Sequence, residues 1–176
     1  TSNPNVVAGD NFVFSTTFRS GFWDGELVRA SLNMRNFSLG VPDWSARDQL
    51  DAKVSTTSDT RTIYTFDPTN TLSGLKPFAW SSLTNAEQAY FGSVGPLLSQ
   101  YSTLTAAEQS AVNGPNMVGF LRGQFGFEDQ SSNTTKAFRD REHVLGDIAN
   151  AEAAYVKRSN FEYADAGYVS FKAGTA

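Results

Sequence analysis

Apolar and polar residues alternate with a period of two near the start of the chain, and this pattern predicts a β-hairpin over residues 12–34. In its first strand Phe12, Phe14 and Phe18 fall on one face, which we expect to be buried. A turn containing two glycines separates this strand from a second alternating run, residues 26–34. The two runs therefore predict an antiparallel pair with one aromatic face.

The middle of the chain changes to a helical pattern. Thr84 and Glu87, and again Thr105 and Glu108, have the spacing of a capping box, in which each side chain satisfies a backbone N–H of the first helical turn. Each box predicts the start of a short helix. We expect these helices and a third turn after them to form a small helical insert over residues 83–122.

Shorter patterns predict the other elements. Asp43 is a candidate N-cap for one or two helical turns that end at Asp51, and a β-branched and aromatic run predicts a strand over residues 61–66. Residues 67–77 contain Gly74 and two prolines and are expected to form a loop. Two or three short strands are expected within residues 143–172, at 143–148, 153–156 and 168–172. The predicted fold class is mainly β with a small helical insert, an α+β chain.

Composition narrows the class of protein. The chain has 176 residues, 40% hydrophobic residues and a mean hydropathy of -0.34, and it lacks any apolar run of about 18 to 20 residues, so it is expected to be soluble and globular. The absence of cysteine excludes thiol nucleophiles and cysteine-bound metal centres. A net charge of -4 with scattered basic residues disfavours nucleic acid as a partner. Composition leaves the compartment open between the cytosol and the bacterial exterior.

Few residues are candidates for catalysis. A serine triad would need His143, the single histidine, but the chain has no Gly-x-Ser-x-Gly turn, so we interpret this histidine as exposed or hydrogen-bonded in a structural role. Asp140, Glu142 and Asp147 could form the carboxylate pair of a glycoside hydrolase, but we interpret them as acids in structural ion pairs. We predict no catalytic residue and no metal ligand.

Aromatic residues are the remaining candidates for a binding site. Phe22 and Trp23 lie in the turn of the predicted hairpin, where a large ring either fills a gap in the core or stands exposed for binding. We favour the core position for Trp23, because the neighbouring strand already supplies an aromatic layer. An exposed platform that stacks on sugars is the alternative, and Trp44 completes this set of candidate binding residues.

Several short strings between residues 12 and 172 agree in order and spacing with one known family. They are Phe18–Leu32, Trp44–Ala46 with Leu50, Arg61–Thr65, Phe78–Leu83, Phe120–Gly123, Phe138–Arg141 and Leu145–Asn150. Together these strings resemble the type IV pilus tip adhesin (PilC/PilY) family.

The resemblance implies a non-enzymatic bacterial protein at the cell surface or pilus tip that supports pilus assembly and surface attachment. Residues 1–176 would be a single segment of a β-propeller-like domain and part of a longer protein, with residues 143–172 leading into the propeller. The implied partners are the remainder of the propeller in the same or another chain, pilin subunits at the pilus tip, and a host or abiotic surface. No cofactor is expected in this segment, since the calcium loop of the family lies outside these residues.

A different class of function stays open at this point. Trp23, Trp44 and the acids near residue 140 would also suit an extracellular module that binds carbohydrate or hydrolyses glycosides. A packing segment without a binding role is a third possibility.

Overall fold

The computed structural model describes residues 5–6, 11–148 and 163–174. The chain divides into two compact units, one formed by residues 1–46 and 147–176 and the other by residues 47–146. Antiparallel sheets and several helices account for the regular structure, which confirms the predicted α+β class. No helix within the described ranges is long and apolar enough to cross a membrane.

The first unit contains a four-stranded antiparallel sheet whose strands follow one another in chain order. They are β1 (Asn5–Val6), β2 (Phe12–Arg19), β3 (Asp24–Leu32) and β4 (Leu39–Ser45). β2 and β3 form the predicted hairpin, and their register pairs Phe12 with Ser31 at one end and Arg19 with Asp24 at the other.

Neither face of this hairpin is buried along its whole length. Val13 and Ala30, which lie directly opposite each other, are 5% and 7% exposed, whereas Phe12 and Phe14 are half-buried and Phe18 is exposed. Arg29 lies on the aromatic face: its backbone pairs with Phe14, and its guanidinium lies 4.7 Å from the centre of the Phe12 ring. Thr16, on the same face as the three phenylalanines, is 7% exposed, whereas Thr17 on the opposite face is exposed. Burial therefore varies along the hairpin, and the expectation that the three rings are buried is wrong.

β4 is a strand that the sequence did not predict, and it contains the residue taken for a helix cap. Asp43 lies within β4 and accepts hydrogen bonds from Arg29 Nε at 2.9 Å and Nη2 at 3.1 Å, so the expectation that it caps a helix is wrong. The helix α1 begins only afterwards and spans Ala46–Asp51. Pro42 is tolerated in β4 because the strand has a neighbour on one side only in the described sheet, and the β3–β4 register shifts on either side of Ala30.

The second unit contains a short hairpin in place of the expected loop. β5 (Tyr64–Phe66) pairs with β6 (Leu75–Pro77), so the last three residues of the predicted loop are a strand. Asn70 shapes the turn, because its Nδ2 group donates to the carbonyl of Leu75 at 2.9 Å. Hydrogen bonds within the turn thus close a strand pair that propensity alone does not indicate.

Helices fill the next part of this unit, in agreement with the predicted insert. They are α2 (Asn85–Gly92), α3 (Ala106–Ala111) and α4 (Gly114–Leu121), with two short 3-10 turns between α2 and α3. Both predicted capping boxes are present, at Thr84 with Glu87 and at Thr105 with Glu108. The helices pack around a core of buried residues that comprises Ala111, Val112, Met117, Ala137 and Phe138.

The end of the chain differs from the prediction. Tyr168–Gly174 forms the helix α5, so the strand expected at residues 168–172 is wrong. The rings of Tyr168 and Phe171 lie 6.0 Å apart, a contact that helical i, i+3 spacing brings about. Residues 143–148 form no strand, and the strand predicted at 153–156 lies outside the described residues.

Glu87 predicts a dependence of stability on pH. A hydrogen bond from Lys76 Nζ at 2.6 Å, together with those from Thr84, lowers the pKa of Glu87 to about 2. Because this pKa is depressed in the folded state, the stabilisation is complete above about pH 4.5 and is lost as the pH falls towards 2. The free energy of unfolding, measured with urea across that pH range, should change less with pH for Glu87→Gln than for the wild type.

The matched control is Lys76→Met, which removes the largest cause of the shift and keeps the capping box. A carboxyl NMR titration should then place the pKa of Glu87 higher than in the wild type while α2 stays folded. An unchanged Glu87 pKa in this variant would contradict the assignment to Lys76.

Candidate functional site

The turn between β2 and β3 presents two of the three predicted binding residues. Phe22 and Trp23 are 63% and 66% exposed, so the expectation that Trp23 fills a gap in the core is wrong. Arg19 and Asp24 form an ion pair across the base of the turn, and Trp23 has a φ of 56°. This left-handed backbone conformation belongs to a tight turn, and the ring that it carries stands away from the sheet.

The exposed rings are ordered by neighbouring side chains. The Arg19 guanidinium lies 4.8 Å from the centre of the Phe22 ring, and the rings of Phe18 and Trp23 are 6.4 Å apart. Trp44, the third predicted residue, is 36% exposed and pairs with Arg29 on β3. Arg29 is five residues from Asp24, where β3 leaves the turn, a separation of about 17 Å along the strand. Trp44 therefore does not join Phe22 and Trp23 in one platform.

The second unit is organised around a buried ion pair that the sequence did not reveal. Glu128 is 1% exposed, and its carboxylate accepts hydrogen bonds from Arg141 through Nε at 2.6 Å, through Nη2, and through the backbone N–H at 3.0 Å. The Arg141 guanidinium also lies 4.0 Å from the centre of the Phe120 ring, which stacks on Phe138 at 4.7 Å. Burial raises the pKa of the Glu128 carboxyl, and the contacts with Arg141 oppose that rise.

A second buried carboxylate lies in the same unit. The side chain of Asp59 is 1% exposed and bonds to Arg61 Nε at 2.8 Å and to Arg122 Nη2 at 3.0 Å. Burial disfavours ionisation of Asp59, but the hydrogen bonds and charge of Arg61, with the charge of Arg122, outweigh it and lower the pKa. The two arginines also donate to each other's backbone carbonyls, which joins two distant parts of the chain.

Gly123, which follows this arginine, has two separate reasons to be glycine. Its φ is 100°, a conformation that favours glycine, and a Cβ atom there would lie 2.6 Å from a methyl carbon of Val144. The Leu-Arg-Gly string of the sequence is therefore a structural unit, in which the arginine binds Asp59 and the glycine lets the chain turn beside Val144.

A cavity of about 290 Å³ in the second unit is lined by both charged and apolar side chains. His143 Nδ1 lies 2.7 Å from Asp51 Oδ2, and the backbone N–H of Val144 donates to Asp51 Oδ1 at 2.9 Å, so the histidine is hydrogen-bonded, as predicted. Glu128 and Arg141 form part of the same wall. No serine, threonine, tyrosine or lysine lies among the lining residues, and the lining carboxylate of Glu128 is bonded to Arg141.

The acids considered for hydrolysis are not brought into a catalytic pair. Asp140 and Glu142 are exposed, and the buried carboxylates of Asp24, Asp59 and Glu128 are each bonded to arginine. Neither unit, taken by itself, gathers three acidic or histidine side chains at metal-ligand distance among its described residues. The strings Phe120–Gly123 and Phe138–Arg141 each combine a phenylalanine with the arginine that forms a buried ion pair, and this is the signal that could have pointed to these pairs.

Comparison with known proteins finds relatives of one kind. The chain is 29% identical over 152 residues to the type IV pilus biogenesis factor PilY1 of Pseudomonas aeruginosa strain PAK, and 28% identical over 152 residues to that of strain PAO1. It is 30% identical over 135 residues to PilY1 of strain UCBPP-PA14. The first two alignments cover 85% of this chain and 12% of the relative, and the third covers 76% and 10%.

The chain is therefore related in sequence to a segment of PilY1 and spans about one eighth of the length of these relatives. No family model matches the chain, and no solved structure matches it. The relationship agrees with the pilus resemblance noted from the strings, at the level of a type IV pilus association.

The buried ion pair predicts a large loss of stability when one partner is removed. Glu128→Gln should destabilise the second unit by roughly 3–5 kcal/mol, because it leaves the buried Arg141 without a counter-charge. The double variant Glu128→Leu/Arg141→Met should cost much less than the sum of the two single changes. Urea unfolding of Glu128→Leu, Arg141→Met and the double variant measures this coupling.

Asp129→Asn is the matched control from the same loop. Asp129 is 65% exposed and bonds to Lys136 at 2.9 Å, so its substitution should change stability by less than about 1 kcal/mol. A cost for Glu128→Gln no larger than that of the control would show that the buried pair does not determine stability.

Proposed function

We propose that the chain is a non-enzymatic structural and adhesive segment of a type IV pilus tip-associated protein, located at the bacterial cell surface or pilus tip. The observation that carries this proposal is the sequence relationship to PilY1, a type IV pilus biogenesis factor, over 85% of the chain. In this role the segment supports pilus assembly and surface attachment, and its partners are pilin subunits and the rest of the same assembly.

The arrangement of charged residues supports a structural role. The arginines of the pilus-like strings, Arg122 and Arg141, bind buried carboxylates, and Phe120 and Phe138 stack beside them. Arginine and carboxylate side chains can take part in catalysis, but the hydrogen bonds of these arginines connect separate loops of the second unit. These strings therefore support a shared scaffold rather than shared chemistry.

The first unit supports a place in a β-propeller-like domain. A propeller blade is a four-stranded antiparallel sheet, and β1 to β4 form such a sheet with the strands in chain order. We propose that further blades come from the remainder of the protein, in the same or another chain. The alignment covers 12% of the PAK relative, so a protein of that size has enough further residues to form the other blades.

An exchange experiment tests the proposed function. The segment of PilY1 that aligns with this chain is replaced by the chain in a Pseudomonas aeruginosa strain without its own PilY1, and surface pili and attachment to an abiotic surface are measured. We expect the chimera to restore surface pili, and Glu128→Gln to abolish that restoration because the segment unfolds.

Asp129→Asn is again the control and should retain the pili restored by the chimera. Immunoblots establish that each chimera is present at the same level before piliation is compared. A chimera that accumulates normally and yields no surface pili would contradict the proposal.

The exposed turn of the β2–β3 hairpin supports a second candidate function, carbohydrate binding. Phe22 and Trp23 stand exposed side by side, and aromatic faces in that position can stack on sugar rings. The hydrolytic form of this candidate has less support, because Asp140 and Glu142 belong to the other unit and make no catalytic pair there. The binding form uses the hairpin turn alone.

A glycan array with the full chain distinguishes this candidate. If it is correct, the wild type binds a glycan saturably and Trp23→Ala lowers the affinity by roughly tenfold or more, with stability unchanged within about 0.5 kcal/mol. Phe171→Ala, which removes a 60% exposed ring from α5, is the control and should bind as the wild type does. Absence of saturable binding by the wild type would exclude the candidate.

A further inference from the structure

The β5–β6 hairpin of the second unit turns its apolar face to solvent. Tyr64 and Phe66 on β5 are 57% and 68% exposed, and Leu75 and Pro77 opposite them on β6 are exposed as well. The other face carries polar side chains that are half-buried, among them Lys76, which bonds to Glu87 of α2. A surface hairpin usually has the reverse arrangement, so this apolar face needs an explanation.

The hydrogen bonds of the hairpin show which backbone groups point outward. The backbone N–H of Asp67 donates to the carbonyl of Gly74 at 2.8 Å, and that of Phe78 donates to Ile63 at 2.7 Å. Since hydrogen-bonded pairs alternate with non-bonded pairs in an antiparallel ladder, Tyr64 and Phe66 are non-bonded positions. Their N–H and C=O groups therefore point away from β6, along the outer edge of β5.

The outer edge of β6 is closed to a further strand. Pro77 has no N–H to donate, and the backbone N–H of Leu75 donates to Ser73 Oγ at 3.3 Å. The carbonyl of Leu75 accepts from Asn70 Nδ2 at 2.9 Å. Side chains of the turn thus occupy the groups that a neighbouring strand would use.

The outer edge of β5 is open by contrast. Within the described residues, the backbone groups of Tyr64 and Phe66 have no hydrogen-bond partner other than solvent. Two strands of three residues are marginally stable by themselves, and an added strand would satisfy these groups. The open edge and the exposed apolar face occur at the same two residues of β5.

We propose that β5 accepts one extended strand from a protein partner, and that this strand carries apolar side chains at alternate positions. Backbone hydrogen bonds to Tyr64 and Phe66 would fix the strand beside β5. Its alternate side chains would then continue the apolar face formed by Tyr64, Phe66 and Leu75. The proposal goes beyond the pilus function and depends only on the hairpin geometry.

The size of the apolar face favours such a strand over a second copy of the chain. Tyr64, Phe66, Leu75 and Pro77 together expose roughly 450 Å². A stable dimer buries about 800 Å² on each partner, which is more than this face offers. A strand held in place by backbone hydrogen bonds, or joined to the chain within a larger assembly, needs less apolar area.

Peptide binding to the full chain tests the proposal. The probe is a synthetic peptide of alternating threonine and valine with lysine at both ends, and the readouts are fluorescence anisotropy and amide hydrogen exchange by NMR. In the free chain the amides of Tyr64 and Phe66 should exchange rapidly. Saturating peptide should slow both by roughly tenfold or more and leave the amide of Leu75 unchanged.

Two substitutions at one position separate the backbone from the side chain. Phe66→Pro removes the outward N–H and keeps the β5–β6 ladder, so it should weaken peptide binding by roughly tenfold, whereas Phe66→Val keeps the N–H and should bind nearly as the wild type does. Leu97→Ser, at an 81% exposed leucine elsewhere in the unit, is the surface control.

Four results would overturn the proposal. The first is that the amides of Tyr64 and Phe66 are already protected from exchange in the free monomeric chain. The second is that the peptide does not bind, and the third is that it binds Phe66→Pro as well as it binds the wild type. The fourth is that these amides become protected only when sedimentation shows that the chain is dimeric. The last result would assign the edge to a second copy. Loss of pilus function in the exchange experiment would not affect this test, since the peptide assay uses the isolated chain.

Discussion

The structure of the second unit depends on one constraint, the neutralisation of a buried carboxylate. Glu128 is almost completely removed from water, and an ionised carboxylate in that position costs several kcal/mol unless hydrogen bonds and a counter-charge compensate for it. Arg141 supplies both through its side chain and its backbone N–H. Because Arg141 also lies on the Phe120 ring, the same contact fixes the irregular chain between residues 123 and 141 against α4.

Asp59 extends this principle to the other side of the unit. Arg61 and Arg122 bind its carboxylate, and Arg122 also donates to the backbone carbonyl of Phe78. Residues far apart in sequence are thus linked by charged groups in a chain without cysteine, where no disulfide can close the loops. The cores of α3 and α4 are small, so these buried ion pairs determine where the loops lie.

The sequence predicted the elements whose causes are local. Each capping box lies within four residues, and both were found where Thr84 and Thr105 indicated. The hairpin was predicted from its alternation, but the partial exposure of its phenylalanines was not, because their contacts, such as that of Phe12 with Arg29, come from the opposite strand. β4 and β6 were missed for a related reason, since each requires a partner strand. Glu128 was missed because no local pattern links it to Arg141, which is 13 residues away in irregular chain.

The strings that resemble the pilus family contain two kinds of residue, and the structure separates them. Arg122, Arg141 and Gly123 are needed for folding, and their substitution would be felt in the core. Trp23 and Tyr64 occur in the same strings but are largely exposed, so they stabilise the isolated chain little. An exposed aromatic ring contributes its full free energy of burial only in a contact with another molecule or segment. The proposals for the turn of β2–β3 and for the edge of β5 both rest on rings of this kind, which gain that free energy only when a partner buries them.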